Sequence, residues 1–226
     1  MALTEAPAPD RLEVGPLRAE ECRAVAELHE SFFGEGLGQG HSIAMLGADF
    51  LEQAFYRANL DNPYFFVDVA RYRGELIAFS VYSSDHRRVF RHTIRHHFAA
   101  LAMATVRVGL RHPLRTAQKL AGNLMFLSES LPPETQAIPA WFLLLAVKAP
   151  YRTREFQERT GVWIAGAFKQ RLQSTLLEHG REEYWAAPAT ANPAAISFYE
   201  RARAQRFAEG TVQGEHCVYY RLRTRD

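Results

Sequence analysis

The stretch from Pro139 to Val147 reads Pro-Ala-Trp-Phe-Leu-Leu-Leu-Ala-Val and is almost wholly apolar. A continuous apolar run of this length suits a strand buried on both faces, inside a sheet. The chain around it is long enough to build such a sheet. Its 226 residues allow one large domain, or one domain with an insertion. Apolar residues make up 47% and charged residues 23%, an ordinary globular balance that can bury a core without disulfides or metal.

The remaining elements follow from periodicity and turn chemistry. Arg11 to Val14 reads as a first strand, ended by Gly15-Pro16. Arg18 to Phe33 is helical, with Cys22, Val25, Ala26, Leu28, His29 and Phe32 near one face. Gly34, Gly36, Gly38 and Gly40 then break the pattern and read as a mobile loop. They are no phosphate cradle, since no strand precedes them and no Lys-Ser/Thr follows. Ala48 to Asn59 is a second helix, stopped near Asn62-Pro63. Tyr64 to Ala70 and Glu75 to Ser83 form a hairpin through Arg71-Tyr72-Arg73-Gly74. After the apolar strand come a long helix from Phe156 or Thr160 to His179, closed by Gly180, and a strand from Glu183 to Ala187. A helix from Asn192 and a strand pair around Gly210 and Gly214 end the chain.

Between the third and fourth strands lies a segment of another character. From His86 to Leu120 it carries Arg87, Arg88, Arg91, Arg95, Arg107, Arg111, Arg115, Lys119 and five histidines, and no Asp or Glu. Phe90, Ile94, Phe98, Leu101, Thr105 and Val108 mark one helical face. His112-Pro113 should end this helix and open a second, Pro113 to Leu127. The reading is an inserted hairpin, apolar inside and cationic outside. It is a lid over a pocket, a dock for an anionic carrier protein or membrane surface, or a solvated cover for the sheet. His92 and His96 share a helix face at zinc spacing, but no His-Glu-x-x-His is present and the arginines would repel a cation, so no metal is expected.

Composition excludes little else. Net charge is +2, too near zero to argue for nucleic acid. Cys22 and Cys217 lie far apart, with no metal spacing, and read as reduced, partly buried thiols of a cytoplasmic protein. Residues 1–10 have neither a basic start nor an apolar core; they read as a mobile tail and not a signal peptide. No apolar run approaches the roughly 20 residues of a membrane span.

The short strand Tyr184 to Ala187 is followed by Asn192-Pro193-Ala194-Ala195-Ile196-Ser197-Phe198-Tyr199-Glu200. With the apolar strand before it, this resembles the C-terminal half of the GNAT superfamily, the acyl-CoA-dependent N-acyltransferases. The resemblance implies an α/β (α+β) fold, a mixed and mostly antiparallel sheet flanked by helices. One domain would then span 11–226, with the helical hairpin inserted over about 86–127. It implies a splayed fourth strand, with backbone groups near Leu145 and Val147 pairing with pantetheine and an N–H near Leu145 facing the thioester oxygen.

Further implications concern the diphosphate and the proton. Val147, Pro150, Tyr151 and Arg152 match the opening of the family's phosphate loop. Thr160, Gly161 and Val162 would present backbone N–H groups to the diphosphate at a helix N-terminus, with Arg152, Arg154 and Arg159 supplying charge. The sequence departs from the pattern at Glu158, where Arg or Gln is usual, and at Trp163, where Gly or Ala is usual. Asn192 would cap the fourth helix and touch pantetheine, and Tyr199 would protonate the departing thiolate. The family's Lys-x-Gly-Phe is replaced by Arg201-Ala202-Arg203-Ala204-Gln205-Arg206-Phe207. Glu129, Glu134, Asp85, His86 and His41 flank the expected acceptor side as candidate bases.

The implied activity is acyl transfer from acetyl-CoA or another acyl-CoA to a small-molecule amine, by direct attack in a ternary complex. The alternatives are an inactive binding module, or an acyltransferase fed by an acyl carrier protein.

Overall fold

The computed structural model describes residues 12–33, 44–111, 131–212 and 215–225. The expected N-terminal tail, the glycine-rich loop with His41, Glu129, Gly214 and the second hairpin helix (Pro113 to Leu127) lie outside these residues.

Among the described residues seven strands form one sheet in the order β1-β2-β3-β4-β5-β7-β6. They are β1 (Leu12–Pro16), β2 (Phe65–Tyr72), β3 (Glu75–Ser83), β4 (Trp141–Val147), β5 (Glu183–Ala186), β6 (Gln205–Val212) and β7 (Glu215–Arg223). Every pairing is antiparallel except β4 with β5. β1 continues through Gly15 and Pro16, which were expected to end it. The β2–β3 turn is tighter than predicted: only Arg73 and Gly74, at φ 53° and 80°, separate the strands. Two positive φ values match the twist of a short hairpin.

One face of β2, β3 and β4 is covered by α1 (Cys22–Phe33) and by a helical run that opens as α2 (Ala48–Phe50), continues as a π-helix (Leu51–Tyr56) and ends in a 3-10 turn (Arg57–Asn59). Val25, Ala26, Leu51, Phe79, Val81, Leu144 and Ala146 meet in that layer. The opposite face carries α4 (Arg154–Thr160), α5 (Ile164–Glu178) and α6 (Pro193–Arg201). Of the two starts expected for the long helix, Phe156 and Thr160, the later is the nearer: α5 begins at Ile164, and Phe156 lies in the separate α4, parted from it at Gly161 to Trp163. Asp68, buried in β2, accepts from Arg171 Nε of α5 and from the Tyr82 hydroxyl of β3, each at 2.8 Å. A buried carboxylate persists only when so partnered, and here it pins α5 to the sheet.

The insertion departs most from expectation. α3 runs from His86 to Arg111, with non-helical φ/ψ at His97. Its predicted inward face points out: Phe90 is 52% exposed and Phe98 67%. The inward line is offset by one residue, through half-buried Val89 and buried Thr93. The cause is polar. Buried Asn59 and Asn62 need partners, and Thr93 Oγ1 donates to Asn59 Oδ1 at 2.6 Å while Asn62 Nδ2 donates to the Val89 carbonyl at 3.2 Å. Satisfying those amides outweighs burying the phenyl rings.

Among the described residues no helix is long and apolar enough to cross a membrane, and no group of three or more metal-ligating side chains occurs. Cys22 and Cys217 are buried, and no disulfide joins them.

Candidate active site at the parted strands

β4 and β5 run parallel and pair at one position, Trp141 with Trp185, where the Trp185 N–H donates to the Ala140 carbonyl at 3.1 Å. Beyond that point β5 pairs with no residue of β4. The register of β4 on β3 slips between Val81 and Tyr82, leaving Leu143 as an extra residue on β4. A bulge of this kind raises local twist and bends the bulged strand away from its neighbour.

The open edge carries specific main-chain groups. Lys148 N–H donates to the Ile77 carbonyl of β3 at 2.9 Å. In an antiparallel ladder alternate residues turn their N–H and C=O to the partner. Ala146 and Leu144 therefore share the direction of Lys148, whereas Leu145 and Val147 turn theirs into the seam. The Val147 carbonyl agrees, since it accepts from Arg152 Nε. The strand is buried on one face only: Leu144 and Ala146 are buried, but Leu143, Leu145 and Val147 are half-buried.

At the closed end of the seam the rings of Trp141 and Trp185 stack at 5.0 Å. His86, the first residue of α3, sets its ring edge-on to Trp185 at 5.6 Å. Its Nδ1 lies 2.8 Å from the Pro139 carbonyl oxygen, which can only accept. The proton therefore sits on Nδ1, and Nε2 presents its lone pair. Burial, reinforced by the charge of Arg87 and opposed by the Pro139 bond, pulls the imidazole below its ordinary value. Trp185 Nε1 and Ser83 Oγ are buried with no hydrogen-bond partner among the described residues, and Ser83 is the ladder partner of Trp141. Buried donors of this kind are ordinarily satisfied by a bound group or water. Asp85 is less available. It caps α3 through the N–H groups of Arg87 and Arg88 and pairs with the side chains of Arg88 and Arg181. Glu134 is exposed, in a 3-10 turn.

At the open end, after β4, the predicted phosphate residues each have a partner of their own. Arg152 lies over the Phe32 ring at 5.3 Å, Arg159 over Phe156 at 5.4 Å, and Arg154 pairs along its own helix with Glu158 at 2.7 Å. Thr160 Oγ1 donates back to the Phe156 carbonyl, and Val162 is half-buried. Gly161 takes φ 67° as the left-handed cap of α4, donating to the Gln157 carbonyl at 2.8 Å. Helix termination by itself already favours glycine here. Trp163 is 54% exposed and folds over the first turn of α5. A Cβ on Gly166 would come within 2.5 Å of its ring, so Gly166 is the residue that admits the indole.

No family model and no curated protein matches the sequence. Solved structures do. The protein SsHAT is 16% identical over 95% of this chain and 98% of its own, with a TM-score of 0.59. Mutant forms of the spermidine/spermine N-acetyltransferase SpeG from Vibrio cholerae are 12% identical, with 95% of each chain covered and a TM-score of 0.53. The yncA protein of Salmonella typhimurium, classed as an acetyltransferase and solved with its cofactor acetyl-CoA, is 10% identical over 94% of each chain, with a TM-score of 0.50. At such identities the likeness is one of fold.

The chain has the GNAT fold.

Against that fold the end of α6 becomes legible. Asn192 caps the helix, its Oδ1 accepting from the Ala195 N–H at 3.1 Å. Tyr199 is buried among Tyr184, Leu172, Leu176 and Tyr220, stacked on the last at 5.2 Å. Burial pushes its phenol well above the ordinary range. The departure from the GNAT Lys-x-Gly-Phe proves local. Arg203 adopts φ 54°, Arg203 N–H donates to the Glu200 carbonyl and Ala204 N–H to the Tyr199 carbonyl, each at 3.0 Å. These bonds form a Schellman cap, with Arg203 at the position that favours glycine. Holding a non-glycine residue there costs about 1–2 kcal/mol. Arg203→Gly is therefore expected to stabilise the protein by about 1 kcal/mol, net of the added unfolded-state freedom, as measured by urea denaturation.

The sequence reading did not find the stacked pair Trp141–Trp185, the bulge at Leu143 or the role of Gly166. A one-position parallel contact leaves no periodic trace, and a glycine kept for a neighbouring ring looks like any other.

Proposed function

We propose that this protein is an N-acyltransferase, moving an acetyl or other acyl group from acyl-CoA to a small-molecule amine. The observation that carries the reading is the parted β4–β5 edge, with the Leu145 and Val147 main-chain groups turned into it. SpeG, of the same fold, is a spermidine/spermine N-acetyltransferase, which supports an amine acceptor, and yncA was solved with acetyl-CoA, which supports a CoA donor.

Pantetheine then lies in the seam against Leu145 and Val147, beside Asn192. The diphosphate lies at the start of α5 near Thr160, Gly161 and Val162, with Arg152, Arg154 and Arg159 gathered to it by side-chain rotation. The amine enters at the Trp141–Trp185 end, where His86 Nε2 takes its proton directly or through a water held by Trp185 Nε1 and Ser83. The amine nitrogen attacks the thioester carbon, and the Leu145 N–H stabilises the oxyanion. The C–S bond breaks, Tyr199 gives its proton to the thiolate, and amide and CoA leave. No covalent enzyme intermediate forms, and neither buried thiol takes part.

Acetyl-CoA at about a hundredfold excess over Kd is expected to stabilise the fold by about 2.7 kcal/mol, a rise of roughly 5–10 °C in Tm. An unchanged Tm at millimolar acetyl-CoA and butyryl-CoA would remove the donor and this reading with it. The base is tested separately. A base works when unprotonated, and His86 is pulled below the ordinary value of about 6.5, so the acid limb of the kcat/KM–pH profile should fall below that value. His86→Gln should abolish that limb and lower kcat by about 10²-fold. A limb that persists in His86→Gln belongs to another group.

A further inference from the structure

The exposed apolar side of α3 has no counterpart in the proposed chemistry. We propose that α3 docks on the surface of a bilayer carrying anionic phospholipid.

Three observations point there. Phe98, Met103, Val106 and Leu110 are 67%, 63%, 57% and 81% exposed. At 3.6 residues per turn they fall within an arc of about 140°. An apolar arc of that width normally faces a core, whereas here Ala104, on the other side of the helix, is the buried residue. Next, exposed Phe90 and Ile94 sit among exposed Arg91 and Arg95, and exposed Arg107 borders the arc from Phe98 to Leu110. Over its whole length α3 carries no acidic residue. Finally, the backbone break at His97 divides the helix. The first half is held to the body through Thr93, Asn59 and Asn62, and the arc from Phe98 to Leu110 lies wholly beyond the break.

Charge and polarity together select the partner. A nucleic acid would satisfy the arginines and leave the phenyl, thioether and leucyl groups in water. A second copy paired through α3 would set arginine against arginine, with no carboxylate in the helix to offset them. An anionic bilayer accepts both, the rings and aliphatic chains at the acyl boundary and the guanidinium groups at the phosphates. The apolar stretch from Phe98 to Leu110 is too short to span, so the helix lies in the surface.

The test uses the full chain and vesicle co-sedimentation. Binding to phosphatidylcholine vesicles containing phosphatidylglycerol should exceed binding to phosphatidylcholine alone by about tenfold or more, and should weaken between about 0.1 M and 0.5 M salt. Arg91→Glu with Arg95→Glu should remove the lipid preference. Phe98→Asp with Leu110→Asp should remove binding to both vesicles, with Tm and acetyl-CoA binding kept. Equal or no partition to the two vesicle types overturns the proposal, as does undiminished binding by either double variant. So does a dimer, seen by sedimentation without lipid, that the aspartates dissociate. Because every exchanged residue is exposed, a loss of folding in one pair leaves the other to decide.

Discussion

Leu145→Pro is expected to leave the sheet folded and to lower kcat by about 10²–10³-fold, the loss found when one oxyanion donor is removed. Proline deletes a single N–H and fixes φ. At Leu145 that N–H is turned into the seam, because Lys148 N–H donates to Ile77 and the ladder alternates. The edge that loses the donor therefore behaves as an edge strand, where proline is tolerated. The residue before proline is driven towards extended backbone, which Leu144 already has as a strand residue. Leu144→Pro supplies the contrast. Its N–H points to β3, so the same substitution one residue earlier breaks a central ladder and should unfold the protein by circular dichroism. Two prolines with opposite consequences are a sharper test than either alone. If Leu145→Pro keeps full turnover, the oxyanion lies elsewhere. If both variants unfold, β4 is zipped in solution and the seam is not available to a donor.

That contrast also shows what the sequence could disclose. The apolar run gave β4, and the Asn192-Pro193 start gave α6 with its cap, because each rests on local chemistry: a burial pattern and a side chain returning to its own backbone. The β2–β3 hairpin was legible for the same reason. Leu145 and Val147 were chosen by resemblance, and the ladder turns their amides outward for a reason no single strand contains, the pairing of β4 with β3. The insertion failed as a pattern argument. Its period-matched apolar face predicts an inward side, but Asn59 and Asn62, distant in sequence, require Thr93 and turn the helix by one residue. Gly161, a phosphate residue by resemblance, also ends α4 in the left-handed conformation, a role that pattern alone does not disclose. Arg203 is the complementary case. The missing glycine put the helix end in doubt, yet the backbone adopts the left-handed turn at an arginine and the cap closes.

The second large effect concerns the proton that the sulfur must receive. Tyr199→Phe should lower kcat by about 10²–10⁴-fold while leaving acyl-CoA affinity within about threefold. The phenol is fully withdrawn from solvent, and burial holds it protonated at any working pH. It can thus serve as a donor but never as a resting base, and its own ionisation should leave no alkaline limb below pH ~10. Its ring is fixed between Tyr220, stacked at 5.2 Å, and Phe198 edge-on at 5.2 Å, so phenylalanine keeps the packing and removes only the hydroxyl. A purely structural tyrosine predicts another outcome, a lowered Tm with kcat intact. Leaving-group chemistry separates the two further. A donor with a more acidic thiol needs less protonation as it departs, so the Tyr199→Phe deficit should shrink along a series of such thioesters. If the deficit stays constant across the series, the hydroxyl is not the acid, and the thiolate leaves with a proton from water in the seam.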